Sequence, residues 1–231
     1  MCEYYVQEKR IEDLVIDLKE VNMGTISANK LGGLALIVGP VVCLVFYFIQ
    51  HLGVIGTDVD PADGNAVVTA LTANSTLTTI TAIGISISLI VLLHGIVRLA
   101  MESSDALSSL GMKFAIVGTV GWVISAGLTA AIAGDINNGG LCGGSLGINQ
   151  FSGIMWSLGF LLVVIGISGK DYINQNVAYV IALVALVSLV VGVIGGFDSS
   201  TLQTMQMIGG ICYIIFTLWS IWIGKDMIAR D

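Results

Sequence analysis

The sequence predicts an all-α integral membrane protein with six transmembrane helices. Its 231 residues are 55% hydrophobic and only 11% charged, and the mean hydropathy is +0.93. Soluble globular domains carry far more charge on their surfaces. The apolar residues are also grouped into charge-free runs of about 20, the length of helix that crosses ~30 Å of hydrocarbon. Together these observations exclude a soluble fold.

Six stretches of the chain contain no Asp, Glu, Lys or Arg. They predict transmembrane spans at about 31–50, 77–97, 114–133, 151–169, 177–197 and 204–224. We therefore divide the chain into a polar segment, 1–30, and a transmembrane domain, 31–231. The first span is expected to remain as an anchor, because no small-residue cleavage site of a signal peptide follows it.

The basic residues predict the orientation of the protein in the membrane. With six spans and the N-terminus inside, all nine Lys and Arg residues fall on one side, and the outer connections carry only acids. Lys and Arg are enriched in cytoplasmic loops, so both termini are expected to be cytoplasmic in a multi-pass protein of the cell membrane. The nine are Lys9, Arg10, Lys19, Lys30, Arg98, Lys113, Lys170, Lys225 and Arg230.

The segment before the first span predicts an amphipathic cytoplasmic helix at about 4–21. Its apolar residues recur at the 3–4 residue spacing of one helical face, and its polar side is net acidic. Helices that lie on anionic lipid are usually basic, so docking on protein is the favoured interpretation. The alternative is that translation begins at Met23. The apolar face comprises Ile11, Leu14, Val15, Leu18 and Val21.

The sequence predicts different structures for two of the outer connections. In the first, Asp60 suits an N-cap, Pro61 the first helical position and Asp63 an acid in the first turn. They predict a short outer-face helix that ends near Ala73. The glycine-rich connection that starts at Asn137 is expected to form a turn.

Small residues at 3–4 or 7 residue spacing predict where the helices pack. Lipid is as apolar as leucine, so membrane helices associate through close contacts of this kind. These seams have two interpretations: packing within one bundle, or docking of other membrane subunits or of a second copy. The seam residues are Gly121, Ser125, Gly159, Gly166, Gly192, Gly196 and Gly210.

The first and last spans are expected to be neighbours if the bundle closes. Cys43 and Cys212 each lie twelve residues from the end of their span that is predicted to be inner. At 1.5 Å per residue, both thiols lie at a depth of about 18 Å. The sequence therefore allows the two cysteines to approach each other.

His94 is the ionisable residue within the predicted spans that points to a candidate polar site. It shares a helix with Ser88 and Thr81 at positions that suggest a polar stripe. An ionisable group in the bilayer favours a proton or ligand contact. The alternative is an interfacial histidine bonded to a carbonyl or headgroup near Arg98.

The remaining motifs predict no catalytic, cofactor or metal site. Asp58, Asp60 and Asp63 resemble the opening of a calcium loop, but position twelve is Thr69 and not Glu,. No Ser/His/Asp set, paired carboxylate or His-rich cluster lies within a span or at one common depth. The basic residues are also too sparse for nucleic acid.

The sequence therefore favours a non-catalytic structural or accessory subunit of a larger membrane complex. The alternative is a small transporter or channel for a neutral or weakly polar solute, which would use the Ser/Thr stripe of the second span. A water-accessible cavity that reaches mid-membrane would favour transport, and a dry, packed bundle would favour the subunit.

Overall fold

The protein is a multi-pass helical membrane bundle. The structure, a computed structural model, describes residues 26–136 and 138–230, and in these ranges it contains helices and no strand. Six of the helices are long and apolar enough to cross a membrane, which confirms the predicted fold class. The predicted amphipathic helix at 4–21 lies outside the described residues. The described α-helices are α1 (Ala28–Phe48), α2 (Gly64–Ala73), α3 (Ser75–Ser103), α4 (Ala106–Ala133), α5 (Asn138–Ile167), α6 (Gln175–Phe197) and α7 (Leu202–Ala229).

Polar side chains begin several of the helices. The Ser27 hydroxyl accepts a hydrogen bond from the Lys30 amide at 3.1 Å. Asp105 and Asn174 cap α4 and α6 through two backbone amides each. The first backbone amides of a helix have no hydrogen-bond acceptor within the helix, and in lipid no water is present to accept from them. These caps therefore fix where the helices begin, at positions that the sequence specifies.

The turn predicted at the glycine-rich connection is wrong, because this part of the chain is helical. α5 has 30 residues and begins at Asn138, thirteen residues before the predicted span at 151. Glycine is tolerated in membrane helices, where a non-helical backbone would leave amides and carbonyls unpaired. At 1.5 Å per residue α5 is about 45 Å long, so it extends beyond the hydrocarbon or tilts within it.

The start of the short helix α2 also differs from the prediction. The Asp60 carboxylate accepts from the Ala62 amide at 2.9 Å and stabilises a turn. Asp63 is the N-cap, and its carboxylate accepts from the amides of Asn65 and Ala66, both at 3.1 Å. The helix thus begins three residues later than the expected Pro61, while its end at Ala73 agrees.

The six long helices form a closed ring. Around it, α1 contacts α3, α3 contacts α4, and α4, α5, α6 and α7 follow in order until α7 contacts α1. The prediction that the first and last spans are neighbours is therefore confirmed. At their crossing, a Cβ added to Gly33 would lie 2.5 Å from the Gly224 carbonyl oxygen. Such a close approach of two backbones requires glycine.

Polar contacts gather at the end of the ring where α1 begins and α7 ends, which we name the terminal end. Arg98 donates to the Asn29 side-chain oxygen at 2.7 Å. Arg230 forms ion pairs with Glu102 at 2.8 Å and Asp226 at 2.9 Å, and its guanidinium lies 3.8 Å from the Tyr172 ring centroid. Burial, followed by the Glu102 charge, raises the pKa of Tyr172. These contacts tie together α1, α3, α7 and the α5–α6 connection.

Aromatic rings fill the centre of the ring of helices. The Phe160 ring stacks on Trp156 at 4.9 Å and contacts Phe216 at 4.7 Å and Trp219 at 5.5 Å, measured between centroids. Leucine, isoleucine and valine side chains on α3, α5 and α7 continue this core. The outer faces are apolar too: Ile87, Leu183 and Leu218 are about 60% exposed, as suits contact with lipid,.

Candidate functional site

The polar stripe predicted on α3 divides between two faces of that helix. Thr81 and Ser88 are buried, whereas His94 is exposed on the outside of the bundle. The Thr81 hydroxyl donates to the Leu77 and Thr78 carbonyls at 2.9 Å, and the Ser88 hydroxyl donates to Gly84 at 2.8 Å. The structure therefore places Thr81 and Ser88 on the buried side of α3 and His94 on its exposed side.

A second set of polar groups lies on the inward face of α1. Cys43, Tyr47 and His51 are spaced four residues apart, so they share one face of the helix. The Cys43 thiol lies beside the Ser88 hydroxyl of α3 and the Tyr213 hydroxyl of α7. The Tyr47 and His51 rings are 4.1 Å apart between centroids. We name these five residues the polar track.

The polar track runs from mid-depth toward the end of the bundle opposite the terminal end. His51 lies in a π-helical segment, Ile49–Ile55, that continues α1. π-helical segments are rare in proteins, and many of those that occur lie at functional sites. Toward the terminal end, Phe160, Phe216 and Trp219 close the interior of the ring. The track is therefore blocked on one side and continues on the other.

Tyr213 is the member of the polar track whose hydrogen bonding is incomplete. Its hydroxyl is fully buried, and no hydrogen-bond partner is found among the described residues. The Cys43 thiol is the polar group that lies alongside it, and the Trp156 ring is 6.3 Å away between centroids. Burying a hydroxyl without a partner costs about 1–3 kcal/mol. A group of this kind in a folded protein needs an explanation.

The predicted seam residues fall into two groups. Gly121, Gly159 and Gly166 lie where α4 and α5 meet, and a side chain at any of them would collide with the opposite helix. Ser125 joins the same interface, with its hydroxyl 2.9 Å from that of Ser145. A Cβ added to Gly192 would lie 3.3 Å from the Ile154 side chain of α5, which is a tight contact, whereas Gly196 and Gly210 face open space.

A face of α5 presents glycines that its own bundle does not use. Around each of them no atom lies within 4 Å of an added Cβ, and all are exposed. An open apolar groove of about 410 Å³ between α4 and α5 adjoins this face and includes Val120, Ile124 and Phe151. We name the glycines the glycine face: Gly140, Gly143, Gly144 and Gly147.

The short helix α2 crosses the end of the ring opposite the terminal end. Leu71 packs with Val54 of the π-helical segment and with Ile132 of α4, and Leu141 of α5 joins them. Since α1 and α5 are not adjacent in the ring, α2 bridges across it. The Cys142 thiol also lies 3.7 Å from the Gly64 carbonyl oxygen.

The acidic residues of the first outer connection act as local caps. Asp60 and Asp63 use their carboxylates for backbone amides of the α2 turn. Within residues 26–136 and 138–230, no three His, Cys, Asp or Glu side chains converge as a metal site would require.

Comparisons of the chain with protein families, with curated proteins and with solved structures find no match. Function is therefore inferred from the geometry of this chain alone.

The sequence contained one signal for the polar track. The four-residue spacing of Cys43, Tyr47 and His51 is legible in an otherwise apolar helix. Its contacts with Ser88 and Tyr213 depend on the order of the helices around the ring, which the spacing does not determine.

Proposed function

We propose that the protein is a non-catalytic structural or accessory subunit of a larger membrane complex. The observation that carries this proposal is the glycine face of α5. Membrane helices associate through van der Waals contact, and exposed small residues let a partner helix approach closely. Gly143 and Gly147 form a glycine pair at four-residue spacing, of the kind that helix dimers use. The adjoining groove offers apolar surface to the same partner.

Packing of the interior supports the same proposal. Phe160 and Val163 are essentially inaccessible at the centre of the ring. Several buried hydroxyls, among them that of Thr119, donate to carbonyls of their own helix. Hydroxyls that are satisfied in this way leave little to bind or transform a substrate. A densely filled bundle with an unused helix face suits a subunit.

Substituting leucine for Gly143 or Gly147 is expected to release the protein from its complex without unfolding it. Leucine fits at both positions, since no atom lies within 4 Å of an added Cβ, but it would hold a partner helix away. The measurement is the elution volume of the full chain extracted in mild detergent from its native membrane. Gly196→Leu on α6 is the matched control, because that glycine is also exposed to open space. If the Gly143 or Gly147 variant eluted with its partners as the wild type and the Gly196→Leu control do, the proposal would be contradicted.

We also propose that both termini are cytoplasmic in the cell membrane. The basic residues support this orientation, because all nine fall on that side,. Single cysteines introduced near Asp63, Ile136 and Ser199 are expected to react with an impermeant thiol reagent outside intact cells. Cysteines near Ser104, Asn174 and Ala229 are expected to remain unlabelled until the cells are opened. Labelling of the second group in intact cells would contradict the orientation.

A second candidate function is the passage of a neutral solute, which the polar track favours. The track would guide such a solute to mid-depth, and the aromatic core would have to open for it to continue. A protein that elutes alone and carries glycerol across vesicle membranes would favour this candidate over the subunit.

A further inference from the structure

We propose that Arg98 and Lys30, at the terminal end, bind the phosphate group of an anionic lipid. This interaction goes beyond the role of a structural subunit and does not use the glycine face. The observation that carries it is the guanidinium of Arg98, which is held by a neutral group. Its Nε and Nη2 atoms donate to the Asn29 side-chain oxygen at 3.0 and 2.7 Å. Within residues 26–136 and 138–230 no carboxylate forms an ion pair with it, so its positive charge is not compensated there.

The second arginine at this end is compensated by acids of the chain. Arg230 pairs with Glu102 of α3 at 2.8 Å and with Asp226 of α7 at 2.9 Å. Glu102 and Asp226 are the acids that α3 and α7 contain. Glu102 follows Arg98 by one turn on α3, yet it pairs with Arg230 and not with Arg98. An anion from outside the chain would therefore provide Arg98 with the compensation that Arg230 already has.

Packing holds the Arg98 side chain in this position. A Cβ added to Gly32 would lie 2.7 Å from the Arg98 Cγ and 3.3 Å from the Met227 Cε. The stem of Arg98 therefore lies directly on the backbone of α1, beside α7. Asn29, one turn earlier on α1, holds two of the three guanidinium nitrogens, and Nη1 makes no hydrogen bond among the described residues. Arg98 is only half-buried, and a donor that is held in place loses little freedom when a ligand binds.

Lys30 and Arg98 lie at the depth of lipid phosphates. Lys30 directly precedes the charge-free stretch of α1, and Arg98 directly follows that of α3. Lys225 follows the charge-free stretch of α7 in the same way, and α1 contacts both α3 and α7. Three basic residues thus mark one edge of the hydrocarbon, and lipid phosphates lie in the layer just outside it. Basic groups at that level attract anionic lipids.

The chemistry of this end favours a headgroup with net negative charge. A guanidinium donates to phosphate oxygens in fixed directions, and the ammonium of a lysine adds a compact positive charge. The first turn of α1, which contains Lys30, has no acidic residue, and a helix N-terminus itself carries partial positive charge. Phosphatidylcholine also offers a phosphate, but its own ammonium neutralises that charge. Phosphatidylglycerol, which has no such ammonium, is therefore the preferred ligand.

Trp222 provides a reporter for the interaction. It is 45% exposed on α7, two residues before Gly224, where α7 crosses α1. The full chain is reconstituted in phosphatidylcholine vesicles, in which an increasing fraction of the lipid is replaced by brominated phosphatidylglycerol. Bromine quenches tryptophan fluorescence, and brominated phosphatidylcholine gives the reference curve. Both leaflets of these vesicles have the same composition, so the test does not depend on which side of the membrane the terminal end faces.

We expect half-maximal quenching at a fraction of phosphatidylglycerol that is at least about fivefold smaller than that of phosphatidylcholine, the preference that one basic residue near a membrane surface supplies. Arg98→Gln and Lys30→Gln should each lower this preference severalfold. Lys113→Gln is the matched control, because it removes one exposed positive charge from α4, outside the three helices that meet at Gly32. That variant should keep the preference of the wild type.

Four results would overturn the proposal. Equal curves for the two lipids would show that no anionic lipid is preferred, which would also be the outcome if acidic residues of the segment 1–25 occupied the two cations. Equal losses in Lys113→Gln and Arg98→Gln would reveal only a general attraction to positive charge. A preference that inorganic phosphate abolishes at constant ionic strength would identify free phosphate as the ligand in place of a lipid. An unchanged preference in Lys30→Gln would also contradict the site, and this exposed position decides the question even if Arg98→Gln does not fold.

Association through the glycine face is measured by elution with partners, and lipid preference is measured by quenching. Either proposal can therefore fail without the other.

Discussion

Replacing Gly159 with isoleucine is expected to separate α4 from α5 and to prevent the ring of helices from closing. A Cβ at this position would lie 2.5 Å from the Ala115 amide nitrogen and 2.6 Å from the Gly111 carbonyl oxygen. Both are backbone atoms, so the collision is relieved only by moving a whole helix. Overpacking in a core usually costs 1–3 kcal/mol. A clash between backbones is expected to exceed about 3 kcal/mol, because side-chain rotation cannot relieve it.

Gly196→Ile provides the control for this substitution. It introduces the same side chain into a membrane helix, but no atom lies within 4 Å of an added Cβ. The midpoint of thermal unfolding in detergent and the fraction of protein that elutes without aggregating are the measurements. Gly159→Ile should lose most of the folded fraction, and Gly196→Ile should resemble the wild type. A folded Gly159→Ile variant with an unchanged midpoint would show that α4 and α5 do not cross at this residue.

The number of spans was predictable because hydropathy and length are local properties of the chain. Their boundaries were not, since helices extend beyond the charge-free stretches. α4 begins at Ala106 and continues through Lys113, and α7 continues through Lys225 and Asp226. Charged side chains near a helix end reach the interface, so they do not terminate the helix. Hydropathy therefore located the centres of the helices and underestimated their lengths.

The polar residues show a different limit of sequence reasoning. The sequence favours His94 as a polar site because ionisable residues are rare in membrane spans. Which face of α3 turns inward, however, depends on packing against α1 and α4. The structure turns Ser88 inward and leaves His94 outside. Tyr213 carried no signal in the sequence, because a tyrosine in an apolar helix is ordinary. Its unpartnered hydroxyl emerges only when the neighbouring helices are in place.

Replacing Phe160 with alanine is expected to destabilise the bundle strongly. The side chain is 1% exposed and contacts three other aromatic rings, those of Trp156, Phe216 and Trp219. In a soluble core this substitution costs about 3–5 kcal/mol, part of which is transfer from water. Helices separated within a bilayer remain in an apolar solvent, so the transfer part is largely absent. The cavity and the lost ring contacts remain, and we expect a loss of about 2–3 kcal/mol.

Phe151→Ala tests whether this loss arises from packing inside the ring. Phe151 belongs to the same helix, but its side chain is 58% exposed on the outer surface. Lipid covers this position whether the side chain is phenylalanine or alanine, so the midpoint of unfolding in lipid-containing micelles should barely change. The two variants remove the same atoms, and the difference between their unfolding free energies isolates the contribution of the aromatic core. If both variants unfolded at the same midpoint, Phe160 would not lie in a packed interior. The aromatic closure of the polar track toward the terminal end would then be refuted as well.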